Sequence, residues 1–320
     1  MLNQSALIGH QEAWESWRAA LEGARMHHAW LLTGKAGLGK GAFAFAAAHE
    51  LVGGGPDPAH HPDILVLTHG PKNKEEEKKR EEGKPFERAR GVKVDQVREV
   101  QRRLTTRPTL GERRAVIVDP ADDMEPQASN ALLKSLEEPP AGTHFLLVSH
   151  SPARLLPTIR SRCRTLRFPA LSPEALGRFL AERTDAAADE RAAAVAAAAG
   201  SPGAALGFVT MGLAATAKTM RHIRDSGDID FTARGELTSL IGARPERERL
   251  RALLDLARAT VAEDIQRLPP RLAAKRIAAH EGLVRLTGEY LTYNYDTGLL
   301  ALEIGNLLAS CANASERADA

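Results

Sequence analysis

A glycine-spaced heptapeptide, Gly34-Lys-Ala-Gly-Leu-Gly-Lys40, follows the apolar run Ala29-Trp-Leu-Leu-Thr33 and precedes a helical pattern over 41–51. It matches all but the last position of G-x-x-x-x-G-K-[ST], and the strand-turn-helix context raises the match above a chance glycine turn. Gly34, Gly37 and Gly39 let backbone N–H groups converge on phosphate oxygens, and Lys40 adds a positive charge at the helix N-terminus. The last position fails. Gly41 stands where a hydroxyl would reach Mg²⁺, so one metal ligand is absent.

Such a loop needs a parallel sheet around it, and residues 1–168 supply the pattern. Near-continuous apolar runs at Ala29–Thr33, Asp63–Leu67, Ala115–Val118, His144–Val148 and Arg164–Phe168 predict strands buried on both faces. Helical patterns at Gly41–Leu51, Asp95–Leu104 and Gln127–Glu138 alternate with them, which predicts a doubly wound α/β domain. Asp95 is the expected N-cap of its helix. After Phe168 the strands stop. Ser172-Pro173 is a helix start, with Ser172 as cap, and the rest is helical in segments broken by Gly200-Ser-Pro-Gly203, Gly227, Pro245 and Pro269-Pro270. The expected division is 1–168, a small helical domain over 169–212, and a larger helical domain over 213–320.

Apolar residues make up 43% of the chain but aromatics only 4%, so the apolar material is mostly Ala, Leu and Val, as helices favour. A net charge of +2 gives no global field to steer the chain onto nucleic acid. Cys163 and Cys311 form neither a disulfide framework nor a Cys-rich zinc site. No apolar run approaches the roughly 18 residues of a membrane span and no leader opens the chain. A soluble, cytoplasmic protein is expected.

Three further stretches carry site readings. Val116-Ile-Val-Asp119-Pro-Ala-Asp122 is an apolar strand ending in an acid, with Asp119 placed to hold Mg²⁺ through water. Pro120 follows it where hydrolysing phosphate-loop proteins carry Glu. The plain alternative makes Asp119 and Asp122 loop and cap residues. Lys72–Arg90 holds eight basic and six acidic residues, read as a solvated loop or exposed helix, with a DNA-contacting arm as the alternative. His49, His60 and His61 lie beside Pro62 without metal-ligand spacing and are read as loop residues, so no zinc is expected.

Four stretches resemble one family: Arg25-Met-His-His-Ala-Trp-Leu-Leu, Val94-Asp-Gln-Val-Arg98, Asn130-Ala-Leu-Leu-Lys-Ser-Leu-Glu-Glu-Pro-Pro140 and Leu156-Pro-Thr-Ile-Arg-Ser-Arg-Cys163. They are similar to the clamp-loader proteins of the AAA+ class, and within them to the delta-prime family of bacterial DNA polymerase III subunits. Over the last third the resemblance narrows to Tyr293-Asn-Tyr-Asp296 and the amphipathic helix after it. The resemblance implies an AAA+ P-loop domain, a helical lid and a helical oligomerisation (collar) domain. It implies that Arg162 is an arginine finger, acting in trans on a neighbouring subunit's ATP, against the plain reading of a surface arginine paired locally. It also places Gly203 where active relatives carry a nucleotide-contacting arginine. The implied protein is a non-hydrolysing subunit of a ring. Its partners would be ATP-hydrolysing motor subunits, a clamp-opening subunit and, through the complex, the sliding clamp and primer-template DNA. Gly34, Gly37, Gly39, Lys40, Gly41 and Asp119 would at most hold ATP or ADP without turnover. A competent motor subunit or stand-alone AAA+ ATPase is the alternative that Lys40 and Asp119 favour.

Overall fold

The computed structural model describes residues 9–23, 26–55, 57, 60–290 and 295–312. Arg25, Tyr293 and Asn294, named above, lie outside the described residues. The chain divides into two compact units, Met1–Ala170 and Leu171–Ala320.

In the first unit five parallel strands form one sheet: β1 (Ala29–Thr33), β2 (Ile64–Leu67), β3 (Arg114–Val118), β4 (Thr143–Ser149) and β5 (Arg164–Arg167). Their order is β2-β3-β4-β1-β5. The expected strands are all present, within two residues at each end. Their apolar runs are continuous because both sheet faces are covered. Leu31, Leu65, Val116, Phe145 and Leu147 pack on one face. That face is covered by α4 (Val94–Leu104) and α5 (Pro126–Glu137). Trp30, Leu32, Ile117, Leu146 and Val148 pack on the other. It is covered by α1 (Gln11–Glu22) and α2 (Lys40–Leu51). Trp17 meets Trp30 edge-on at 5.4 Å between ring centroids, which fixes α1 on β1. Since every strand runs the same way, the loops after β1, β3 and β4 gather at one edge of the sheet.

One local expectation changes, and the charged segment is found as the exposed helix that was one of its readings. Asp95 is not the cap of α4. Lys93 precedes the helix, and the Gln96 side chain accepts its N–H at 3.0 Å, which leaves Asp95 as a first-turn acid on the favourable end of the dipole. The charged segment contains a short helix, α3 (Lys74–Glu81), capped by the Asn73 side chain. Buried Glu76 accepts Lys79 Nζ at 2.7 Å and the Glu87 N–H at 2.6 Å, tying the helix to the returning chain. Lys72–Glu87, Arg80–Glu77 and Lys84–Glu82 are paired as well. Much of the segment's charge is thus spent on itself.

In the second unit Ser172 caps α7 (Pro173–Arg183), accepting the Ala175 N–H at 3.2 Å. Ser201 caps α9 (Pro202–Thr210) after α8 (Ala188–Ala197), and exposed Gly203 lies in the first turn of α9. The helices α10 (Ala214–Ser226), α11 (Thr232–Ile241), α12 (Arg247–Ala262), α13 (Pro270–Tyr290) and α14 (Thr297–Ala309) follow. They bury Met220, Ile223, Leu237, Leu253, Leu283 and Ile304 among themselves. Buried Arg234 on α11 donates to Asp228 at 2.9 Å and to Asn306 on α14 at 2.6 Å. Exposed Tyr295 donates to Glu289, while Tyr290 is half-buried. Among the described residues no helix is long and apolar enough to cross a membrane.

Candidate nucleotide loop and a surface arginine

The loop after β1 turns through Gly37 and Gly39, with φ of 77° and 81°, a conformation that costs a side-chain-bearing residue and not glycine. Gly34 is required sterically, because a Cβ there would lie 2.4 Å from the Phe168 carbonyl oxygen. Buried His10 holds the loop from outside, its Nε2 lying 2.7 Å from the Leu38 carbonyl while its ring packs on Phe168. Burial pushes the His10 pKa down against the pull of that carbonyl. Lys40 opens α2, is buried, and donates to the Gly34 carbonyl at 2.6 Å and the Lys35 carbonyl at 2.5 Å. Burial lowers its pKa to about 8, against the attraction of Asp119 and Asp122. Gly37, Gly39 and Lys40 are the residues that would hold a phosphate, with the Lys40 ammonium turning from the two loop carbonyls it meets here.

The metal position is different. A Cβ on Gly41 would lie 2.4 Å from Asp119 Oδ2. The carboxylate at the end of β3 thus fills the space where a Ser or Thr side chain would stand. Gly41 lacks a hydroxyl, and a side chain there would require the Asp119 carboxylate to move aside. Burial raises the Asp119 pKa, opposed by Lys40 and His69. Pro120 brings no polar side chain to the next position. Gly41→Ser is accordingly expected to confer no ATP turnover, and Gly41→Ala to cost about 1–3 kcal/mol through overpacking. Both are checked by phosphate release and by urea unfolding. Unchanged stability in Gly41→Ala would show that Asp119 yields freely.

Asp122 is committed elsewhere. It is buried and accepts Ser149 Oγ at 2.6 Å, the Ser151 N–H at 3.0 Å and the His150 N–H, so it fixes the loop after β4. Asp122 thus caps no helix; it braces the loop after β4 from inside a short turn over Ala121–Asp123. Asp123 lies 3.2 Å from His69 Nε2 and 3.2 Å from Arg154 Nη1, and the His69 contact leads in holding its pKa low. The sequence reading missed His69, His10 and Asp123, which carry no motif spacing. Among the described residues no group of three or more His, Cys, Asp or Glu is arranged to hold a metal ion. His49 and His61 approach each other edge-on, at 6.4 Å between ring centroids.

The structure brings Gly34, Gly37, Gly39, Lys40, Gly41 and Asp119 together; Arg162 makes its contacts elsewhere. It lies between a short helical turn, α6 (Pro157–Arg160), and β5. Its Nη1 donates to the Thr158 carbonyl at 2.9 Å, and its Nη2 lies 2.7 Å from Glu137 Oε1 on α5. Cys163 beside it packs into the core, and burial raises the thiol pKa to about 12. Arg164 lies over the Trp30 ring at 5.0 Å. Arg162 is thus a half-exposed arginine beside a partly buried residue packed against the core.

This chain has measurable relatives. It is 38% identical over 182 residues to the DNA polymerase III subunit delta' of Pseudomonas aeruginosa, covering 51% of this chain and 51% of that one. It is 36% identical over 204 residues to the Escherichia coli protein of the same name, covering 59% and 56%. A Haemophilus influenzae DNA polymerase III subunit tau/gamma is 30% identical over 183 residues, covering 55% of this chain and 25% of that one. The chain spans about half the length of the delta' relatives it matches. A crystal structure of a DNA polymerase III, gamma subunit-related protein from Thermotoga maritima covers 93% of this chain and 99% of its own. Its TM-score is 0.53 at 17% identity, which establishes a shared fold. The family described as DNA polymerase III, delta subunit, matches residues 9–172, from the chain before α1 to the cap of α7. With its parallel β2-β3-β4-β1-β5 sheet, its phosphate loop and this match over half its length, the chain belongs to that DNA polymerase III family, together with the bacterial delta-prime subunits.

Proposed function

We propose that the chain is a non-hydrolysing subunit of the DNA polymerase III clamp loader, which helps place the sliding clamp on primed DNA. The observation that carries the proposal is the asymmetry between the two sites. Asp119 packs on Gly41 and is followed by Pro120, so the chain's own loop lacks both the hydroxyl and the water-orienting carboxylate. Arg162 meanwhile stands half-exposed, paired to Glu137 and ready to meet an anion brought by a neighbour. The neighbour is an ATP-hydrolysing motor subunit, and the guanidinium stabilises charge developing on its γ-phosphate. In this reading 169–212 is the lid and 213–320 the collar that holds the ring, with a clamp-opening subunit among the other partners. Gly203 leaves the lid without the arginine that active relatives would use.

The test compares ATP turnover by the chain alone, by motor subunits alone, and by the two together. Negligible turnover alone and stimulation on mixing are expected. Brisk hydrolysis by the isolated chain would instead establish the competent-ATPase reading, which the intact Lys40 loop favours.

The phosphate loop would hold ATP or ADP without turnover, through Gly37, Gly39 and Lys40. Since the Lys40 pKa is lowered to about 8, its charge is present below that pH and lost above it. Nucleotide affinity is therefore expected to fall as pH rises through about 8, roughly up to tenfold per pH unit if one proton is linked. Equilibrium dialysis with ADP across pH 7–9.5 checks this; a flat profile would remove Lys40 from the binding site.

A further inference from the structure

The two most distinctive stretches of the sequence, Leu136-Glu-Glu-Pro-Pro140 and Ser161-Arg-Cys163, meet in space. Glu137 is the last residue of α5, and its Oε1 lies 2.7 Å from Arg162 Nη2. A carboxylate at a helix C-terminus faces the negative end of the dipole, so on α5 alone Glu137 is badly placed. Glu138 beside it adds a second negative charge. The pairing with Arg162 offsets that local conflict, and local conflicts of this kind collect at functional positions. The second Arg162 contact, Nη1 to the Thr158 carbonyl, comes from the turn immediately before it. Glu137 and Thr158 thus grip the guanidinium from two elements that pack on each other, α5 and α6.

Two contacts leave N–H groups of the guanidinium available to a further anion. Both partners are half-exposed, at 35% and 50% for the side chains, so the pair is screened and holds the group without locking it. A grip of this strength restricts the rotamers of a long side chain while leaving it able to transfer donors to a phosphate. That is how an interaction remote from the reacting atoms contributes to rate, by reducing the orientational freedom lost on reaching the transition state.

We propose that Glu137 is a positioning residue for Arg162, orienting its guanidinium towards the nucleotide of the adjacent subunit. This rests on the reading of Arg162 as trans-acting. The experiment uses the reconstituted complex in which only the motor site facing this chain is active, and measures kcat and KM for ATP. Glu137→Ala is expected to lower kcat about tenfold with KM little changed, and Glu137→Gln, which keeps an acceptor, to lie between it and wild type. The double variant Glu137→Ala/Arg162→Ala is expected to match Arg162→Ala alone, because positioning has no effect without the group positioned. Removing a carboxylate from the C-terminal end of α5 does not destabilise the helix, so unfolding of the variant chain is expected at or above the wild-type denaturant midpoint. Wild-type or faster turnover in Glu137→Ala, with Arg162→Ala slow, would overturn the positioning role alone. Additive losses in the double variant would overturn it as well. Wild-type turnover in Arg162→Ala would instead sink the reading of Arg162 itself.

Discussion

Replacing Arg162 with alanine is expected to slow hydrolysis at the adjoining motor site by about 10³-fold or more, the range an arginine finger contributes to phosphoryl transfer. In a ring with several active sites the steady-state rate would fall only by that site's share. The effect is therefore read in a complex whose remaining motor subunits carry substituted phosphate-loop lysines. In the proposed role the guanidinium would meet charge that develops in the transition state, so the loss should fall on kcat while KM changes little. Arg162→Lys is expected to restore little, because an ammonium lacks the planar fork that a guanidinium presents to phosphate oxygens. Local damage is limited, since Arg162 gives up only Glu137 and the Thr158 carbonyl, both at the surface. Arg160 serves as the control. It is exposed two residues away, and its loss should leave the rate within about twofold. Equal losses at Arg160 and Arg162 would indicate a general basic surface in place of a finger.

Most of the first unit was legible in the sequence, because buried parallel strands write continuous apolar runs and the phosphate loop writes its glycines. The five strands and the helices α2, α4 and α5 fall where those patterns lie, while α1, which also covers the sheet, was not read. The chemistry of the site was legible only as absences. Gly41 reads as a missing hydroxyl and Pro120 as a missing carboxylate. That Asp119 occupies the space above Gly41 depends on how β3 and α2 pack, which no motif records. The Glu137–Arg162 contact joins two stretches that were each recognised separately, and an ion pair across 25 positions has no period to detect. The Lys93 start of α4 was misread for a related reason. An acid next to a helix start is the usual cap, but here Gln96 satisfies the N-terminal group and Asp95 lies one turn position inside. The charged segment could be read for composition and not for the Glu76 contacts that fold it back on itself.

Asp63→Ala is expected to destabilise the first unit by about 3–5 kcal/mol, the cost of leaving a buried partner charge unpaired. Asp63, immediately before β2, is fully buried and lies 3.3 Å from Arg114 at the start of β3, itself 4% exposed. The pair is also a hub for the loop between α4 and β3. Asp63 accepts the Thr109 and Leu110 N–H groups at 2.7 and 2.8 Å, while Arg114 donates to the carbonyls of Arg103, Thr106 and Arg107. Removing either side chain strands backbone groups as well as a charge, so apolar replacement of both is not expected to be neutral as it can be for a simple pair. Burial pushes the Asp63 pKa up, but the two amides and Arg114 outweigh it and hold the carboxyl below its ordinary range. A carboxylate with a depressed folded pKa stabilises fully above its unfolded value, and that contribution is lost as pH falls through the lower folded one. Wild type should therefore lose stability as pH drops below about 4, and Asp63→Ala should show a shallower dependence there. The measurement is clean because Trp14, Trp17 and Trp30 all lie in the first unit, so tryptophan fluorescence in urea follows that unit and no other. A loss under about 1 kcal/mol, or an acid dependence equal to wild type, would mean that water takes over the carboxylate's role and that the loop does not hang on this pair.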